Sequence, residues 1–359
     1  MDLQSRKSLK IMSCYLPFKV NNPYAENVRR LLEEQGIGVC SIRDCLRSPG
    51  LFRRTRVFNF NWFDSTSGMG EYLKKAALLL LLKVCGKRII YTLHNRRPHN
   101  DGGNPWSERM MRRLACSADA IVGLCGETEA VLRELAPKSV RKLTVIPHPN
   151  YIGNYRDVPA HPLRERYGLP EERPVFLFNG FISPYKNLEM LIDLFHGPEL
   201  GEAFLLIAGR PASEAYRREL LARIGNAKNI VCDFRYIPDE EIPSFYQTAD
   251  LVVLPYHKES SLNSGAVYLS FSLKRTVICP EIGTIRELRG EDFVYRYDYH
   301  TEEEHRAQLA GALKRALEDW RKEPESLLHK GREAYDYVSR THSDEVIGRM
   351  CGTLYRKLL

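Results

Sequence analysis

Several motifs are missing from this 359-residue chain, and each absence closes a class. Nine cysteines run from Cys14 to Cys351 with no Cys-x-x-Cys and no Cys/His zinc spacing, so neither a structural zinc site nor a thioredoxin-like redox pair is expected. No Gly-x-Gly-x-x-Gly follows a strand-like run, which argues against NAD and FAD enzymes. No Gly-x-x-x-x-Gly-Lys-Ser/Thr occurs, which argues against P-loop NTPases. Long apolar runs are lacking too. The longest, Ala76 to Leu82, falls far short of the roughly 20 residues a spanning helix needs. The opening MDLQSRKSLK has no apolar core, so no secretory leader is expected. Solenoid repeats, low-complexity tracts and nucleic-acid-binding motifs are also absent. These absences predict a cytoplasmic protein with reduced, structural thiols.

What is present is an ordinary globular composition, 43% apolar and 27% charged, in a chain long enough for two domains. Its charge is uneven. Residues 1–150 hold 25 Lys+Arg against 13 Asp+Glu, or +12, and residues 151–359 hold 28 against 32, or −4. A basic N-terminal half predicts an anionic partner there, such as lipid headgroups or a lipid diphosphate. Lys74, Lys75, Lys83, Lys87 and Arg88 bracket the apolar run, which reads either as a buried helix with snorkelling lysines or as a helix against a membrane surface.

Strand and helix patterns alternate throughout, which predicts α/β layers with mostly parallel sheets. In the N-terminal half strands are expected at Leu9–Cys14, Val39–Ile42, Val57–Trp62, Arg88–Leu93, Ala120–Leu124 and Leu143–Ile146, with helices between. The pattern lapses between about Tyr151 and Arg173, a piece with three prolines and many charges, and restarts at Val175. The organisation predicted is a domain over 1–155, a linker over 156–172, a second domain over 173–340 with a helix opened by Asp239 and a last strand at Phe293–Tyr295, and a terminal helix in 341–359 packing on the first domain. Two doubly wound halves, each with loops at its strand C-termini, place a ligand between them.

The second half is organised around Leu251 to Leu288. An apolar strand closed by Pro255 leads into a polar loop, then Ser264-Gly265, an apolar helix from Ala266 to Leu273, and a second strand at Thr276–Cys279. This is a βαβ unit. The helix start offers free N–H groups and a positive dipole end, and Gly265 lets an anion sit on the backbone, so a diphosphate suits it. Alone, Asn-Ser-Gly is equally an N-cap and a turn.

Phe178-Asn179-Gly180-Phe181 through Lys186-Asn187-Leu188, Leu206-Ile207-Ala208-Gly209, Phe234 to Ile237, Ala249-Asp250 to Pro255, Ser264-Gly265, and Val277-Ile278 with Gly283 and Glu287 together resemble glycosyltransferases of the B fold. Those enzymes have two facing Rossmann-like domains. Asn22-Pro23-Tyr24, Thr92-Leu93-His94-Asn95 with Pro98-His99, and Ile146-Pro147-His148 resemble a narrower group that builds bacterial exopolysaccharide or capsule units on a lipid carrier. There is one departure. The large retaining family has two glutamates eight positions apart, the second on the ribose, where this chain has Ser261 and Leu269. The ribose contact then falls to Glu259, Glu281 or Glu287.

The resemblance implies a peripheral-membrane glycosyltransferase that moves a sugar from a UDP- or GDP-linked donor to a lipid-linked saccharide. Lys186, Gly180, Arg210, Ser264, Gly265 and Ala266 are then expected on the diphosphate, and Arg235, Tyr236 and Glu287 on the nucleoside. Catalysis is assigned to His94, Lys186 and Asp64, with His94 either bonding the donor sugar or taking the acceptor's proton. Asn95, Arg96, Arg97 and His148 are expected on the acceptor. No cofactor is expected. No metal is implied, since the Asp-x-Asp of the other glycosyltransferase fold is absent and a lysine with a helix end can answer the leaving group's charge. The alternatives are a nucleotide-sugar 2-epimerase of the same fold and a non-catalytic nucleotide-binding or scaffold homologue.

Overall fold

A computed structural model describes residues 11–18, 22–97, 104–155 and 163–359. These residues divide into two units. One gathers the chain up to Pro149 with Glu259–Asn263 and His342–Leu359; the other holds Asn150–Lys258 and Ser264–Thr341.

The first unit is a six-stranded parallel sheet of β1 (Ile11–Leu16), β2 (Ile37–Cys40), β3 (Thr55–Asn61), β4 (Arg88–Leu93), β5 (Ala120–Gly123) and β6 (Leu143–Val145), in the order β2-β1-β3-β4-β5-β6. Its strands are near-continuous apolar runs because both faces are covered. One face packs α1 (Pro23–Glu34) and the terminal helix α15 (Asp344–Lys357), through Tyr24, Leu31, Ile347 and Leu354. Asn22 caps α1 by accepting from the Tyr24 N–H at 3.0 Å. A side chain on Gly352 would collide with Gln35, which caps the end of α1, at 2.7 Å. The other face packs α4 (Met69–Val84), α5 (Pro105–Ser117), α6 (Thr128–Leu135) and two short helices, α2 (Ile42–Arg47) and α3 (Pro49–Arg54).

The helix α4 buries Leu79 and Leu82 and leaves Met69, Leu73, Leu80, Leu81 and Val84 exposed, Val84 to 78%. Most of its flanking cations are engaged. Lys75 binds Glu71 at 2.8 Å, Lys83 and Arg88 share Asp119, and buried Lys87 donates to the Phe52 and Arg53 carbonyls at 2.6 and 3.3 Å. Of the five bracketing residues, Lys74 alone is without a described partner.

The second unit is another six-stranded parallel sheet: β7 (Val175–Asn179), β8 (Phe204–Ala208), β9 (Ile230–Asp233), β10 (Leu251–Val253), β11 (Thr276–Pro280) and β12 (Tyr295–Tyr297), in the order β12-β11-β10-β7-β8-β9. This is the classic dinucleotide-fold order, with the reversal between β7 and β10. Helices α7 (Leu163–Tyr167), α8 (Leu188–Phe195), α9 (Glu214–Ile224), α10 (Ile242–Thr248), α11 (Gly265–Ser272), α12 (Gly283–Arg286), α13 (Glu302–Lys322) and α14 (Ser326–Thr341) complete it.

The α/β class and two parallel sheets are as expected, with differences in detail. The segment 41–56 forms α2 and α3 where the pattern foresaw no helix. Each has only six residues, and Ser41 and Ser48 start them by capping. The helix expected to be capped by Asp239 begins at Ile242 behind Glu241, without a side-chain cap. The last strand lies at Tyr295–Tyr297, two residues late. Residues 163–172, expected in a linker, carry α7, and Leu163 and Leu169 are buried in the second unit's core. Among the described residues no helix is long and apolar enough to cross a membrane.

Candidate functional site

In the second unit, the strand ends beside the reversal carry the residues of interest. After β7 the chain turns at Gly180 (φ +123°) and after β8 at Gly209 (φ +148°). A Cβ on Gly209 would lie 1.9 Å from the Gly180 carbonyl, so only glycine admits this approach. The two loops then zip together, Ile182 N–H to the Arg210 carbonyl at 3.0 Å and Ala212 N–H to the Ile182 carbonyl at 2.8 Å. A 3₁₀ turn at Pro184–Lys186 ends on left-handed Asn187. Asn187 donates to the Pro255 carbonyl at 3.0 Å, and the His257 N–H bonds the Tyr185 carbonyl at 3.0 Å. These bonds tie the turn to the segment following β10.

This folding aims Lys186 back over the strand end. Its Nζ lies 3.6 Å from where a Cβ of Gly180 would sit, 5.7 Å from the Phe178 ring and 6.0 Å from the Tyr256 ring. No described residue gives it a hydrogen bond or a carboxylate partner. Burial lowers its pKa to about 8. The Tyr256 hydroxyl in turn bonds Ser264 Oγ at 3.3 Å. Ser264 caps α11 by accepting from the Val267 N–H at 3.4 Å, and its own N–H donates to Thr284 Oγ1 at 3.0 Å. Gly265 and Ala266 begin the helix half-buried, with N–H groups that no described residue accepts. Lys186, Gly180, Ser264, Gly265 and Ala266 are thus gathered through Tyr256.

The other residues expected on the nucleotide stand apart. Arg210 is exposed, and its guanidinium has no described partner. Arg235 is clamped between Glu241 and Asp233, with Asp233 at 3.0 Å, and the carboxylate of Glu241 foremost raises its pKa. Its charge is already answered. Tyr236 is 56% exposed. Glu287 is exposed, Glu281 binds Arg289 at 2.7 Å, and exposed Glu259 falls in the segment grouped with the first unit.

In the first unit His94 follows β4 and is buried. Asn61 directs its amide N–H groups at the Leu16 carbonyl and Asn59 Oδ1, both at 3.2 Å, which turns its oxygen to His94 Nε2 at 3.0 Å. The proton therefore sits on Nε2 and Nδ1 keeps a lone pair. Trp62 stacks on the imidazole at 4.1 Å and 17°, and Tyr24 meets it edge-on at 5.1 Å. Burial, helped by His148, lowers the His94 pKa to about 3. His148 lies 4.8 Å from Tyr24, bonds the Pro149 carbonyl at 2.6 Å, and is lowered by burial to about 4. Both rings are neutral across the ordinary pH range. Asp64 is buried and accepts from the Tyr91 hydroxyl at 3.0 Å.

Asn95 is half-buried, Arg96 pairs with Glu127 at 2.8 Å and Arg97 is exposed. The two arginines line a cavity of about 600 Å³ with Glu108, Arg112 and Glu134. Pro98 and His99 lie outside the described residues. Sequence reasoning missed Tyr24 as a packing partner of His94, and Asn61, Trp62, Tyr256 and Thr284. The available signal for the second was an Asn-Trp at the end of an apolar strand.

The chain is similar in sequence and in fold to known proteins. The family described as glycosyl transferases group 1 matches residues 161–334. The GDP-mannose:glycolipid 4-beta-D-mannosyltransferase of Xanthomonas campestris pv. campestris is 29% identical over 260 residues, 69% of this chain and 68% of that one. A D-inositol 3-phosphate glycosyltransferase of Thermobispora bispora is 29% identical over 153 residues, 40% of this chain and 36% of its own. In structure, Anabaena HepE in complex with UDP-glucose superposes with a TM-score of 0.70 at 15% identity, over 97% of this chain and 100% of that one. That likeness is one of fold.

Proposed function

We propose that this chain, which carries a glycosyl transferases group 1 domain over residues 161–334, moves one sugar from a nucleoside-diphosphate donor to a lipid-linked saccharide in cell-surface glycan synthesis. One observation carries the reading. Lys186 holds an ammonium without a described partner above Gly180, linked through Tyr256 to the open N-terminus of α11 at the second unit's strand reversal.

In the reaction the bond from the anomeric carbon to the diphosphate oxygen breaks, and its electron pair stays on that oxygen. Lys186 and the Gly265 and Ala266 N–H groups answer the charge that grows there. With this charge supplied by the protein, transfer is independent of a metal ion. The acceptor's hydroxyl oxygen forms the new bond and gives up its proton. Asp64 takes it; His94, whose conjugate acid has a pKa of about 3, is too weak a base and instead accepts a sugar hydroxyl at Nδ1.

The similarity to the GDP-mannose:glycolipid 4-beta-D-mannosyltransferase of Xanthomonas favours a GDP-linked donor over a UDP-linked one. The exposed apolar stripe of α4 (Met69, Leu73, Leu80 and Val84) supports peripheral attachment to an anionic membrane. Isothermal titration with GDP and UDP tests the donor site. Saturable binding of at least one, weakened by Lys186→Met, is expected; no binding of either sinks the reading.

A further inference from the structure

The first unit has its own strand reversal, between β1 and β3. Ligands of open α/β sheets bind where the strand order reverses, outside the strand C-termini. A cavity of about 670 Å³ lies at that place, lined by Leu16 and Phe18 after β1, Arg43 and Arg47 of α2, and Trp62 and Phe63 after β3. Its size falls within the range of roughly 300–1,000 Å³ usual for small-molecule sites.

Resting on the glycosyl-transfer reading, we propose that this cavity is the acceptor site, holding a saccharide joined through a diphosphate to an apolar chain. Trp62 carries the sugar. Its backbone is left-handed (φ +51°), a conformation that is unfavourable for a bulky residue and survives where the surroundings enforce it, often at ligand sites. With this backbone the indole lies flat against His94 at 4.1 Å while the residue lines the cavity. An aromatic face presents negative charge to the weakly positive C–H edges of a pyranose. Arg43 and Arg47 take the diphosphate. Neither has a described partner, and the cavity's one carboxylate, Asp44, is occupied by the Ser41 hydroxyl at 2.7 Å. Leu16, Phe18 and Phe63 receive the first carbons of the lipid. Asn61 lines the same cavity and holds His94, whose ring covers one face of the indole and leaves the other for the sugar.

The test is calorimetric titration of the full chain with farnesyl diphosphate, farnesyl diphosphoglucose and inorganic diphosphate, with GDP and UDP as controls. The wild type binds farnesyl diphosphoglucose more tightly than farnesyl diphosphate, and both more tightly than inorganic diphosphate. Arg43→Ala with Arg47→Ala weakens both lipids by at least about tenfold, the loss of charge-assisted contacts. Trp62→Leu abolishes the gain due to glucose, and Trp62→Phe, which keeps a ring, retains part of it. GDP affinity is unchanged in each folded variant. Three results overturn the proposal: no saturable lipid binding by the wild type, undiminished binding by the arginine variant, or inorganic diphosphate binding as tightly as the lipids. A wild type that binds the lipids through Arg43 and Arg47 but binds neither nucleotide keeps the cavity and sinks the donor reading instead.

Discussion

Replacing Lys186 by methionine separates stability from function. Burial moves this ammonium from an ordinary 10.5 to about 8, which at 1.36 kcal/mol per pH unit is about 3 kcal/mol of cost at neutral pH. The side chain keeps some contact with water, so this is an upper bound. Methionine fills similar space without the charge, so the unliganded variant should melt higher than the wild type, by at most about 6–12 °C for a unit of this size. The sign can be checked by pH. Between about 8 and 10.5 the native lysine binds fewer protons than the unfolded one, so wild-type stability should rise with pH through that window. The variant should lack this rise. Nucleotide binding should move the other way, GDP affinity falling by roughly 10²-fold, as for loss of one fixed donor to a developing anion. Differential scanning calorimetry at pH 7 and pH 10, with and without GDP, reads both effects. A variant that melts lower than the wild type and binds GDP as well would show that the ammonium is satisfied within the protein.

The remaining predictions concern groups with separable roles. Asp64→Asn should lower kcat by about 10²–10⁴-fold with GDP affinity intact, and full activity would remove Asp64 as the base. Arg235→Ala breaks the clamp on Asp233 and Glu241, so it should lower the melting temperature more than nucleotide affinity, measured by melting and titration in parallel. Activity should survive EDTA; abolition by EDTA and restoration by Mg²⁺ would refute the charge assignment to Lys186 and α11. Leu73→Gln with Leu80→Gln and Val84→Gln should release the chain from anionic vesicles in co-sedimentation, and equal pelleting of variant and wild type would reject α4 as the membrane face.

The fold was legible because both sheets consist of strands buried on two faces, which read as short apolar runs between helical periods. The second unit's candidate residues were legible for a related reason: Gly180, Lys186 and Ser264-Gly265 each mark a strand end or a helix start. What stayed hidden depended on tertiary contacts. Lys83, Lys87 and Arg88 read as cations bracketing an apolar run, but Asp119 and the Phe52 and Arg53 carbonyls engage them from far along the chain. Arg235 read as a cleft residue, although Glu241, six positions on, reaches back to it. Trp62 read as the end of a strand; its left-handed turn onto His94 depends on packing between β3 and β4 that no local pattern encodes. The helices α2 and α3 are too short for their periodicity to register, and the cavity that α2 borders was invisible with them.

The central claim is sugar transfer to a lipid-linked acceptor, and transfer can be measured directly. Purified wild type and Lys186→Met are incubated with radiolabelled GDP-mannose or UDP-glucose and a bacterial lipid extract, then partitioned into organic solvent. Label entering the lipid phase from at least one donor with the wild type, and falling by roughly 10²-fold with the variant, is the predicted result. Label confined to the aqueous phase with both donors, whether as intact or epimerised nucleotide sugar, would contradict the claim.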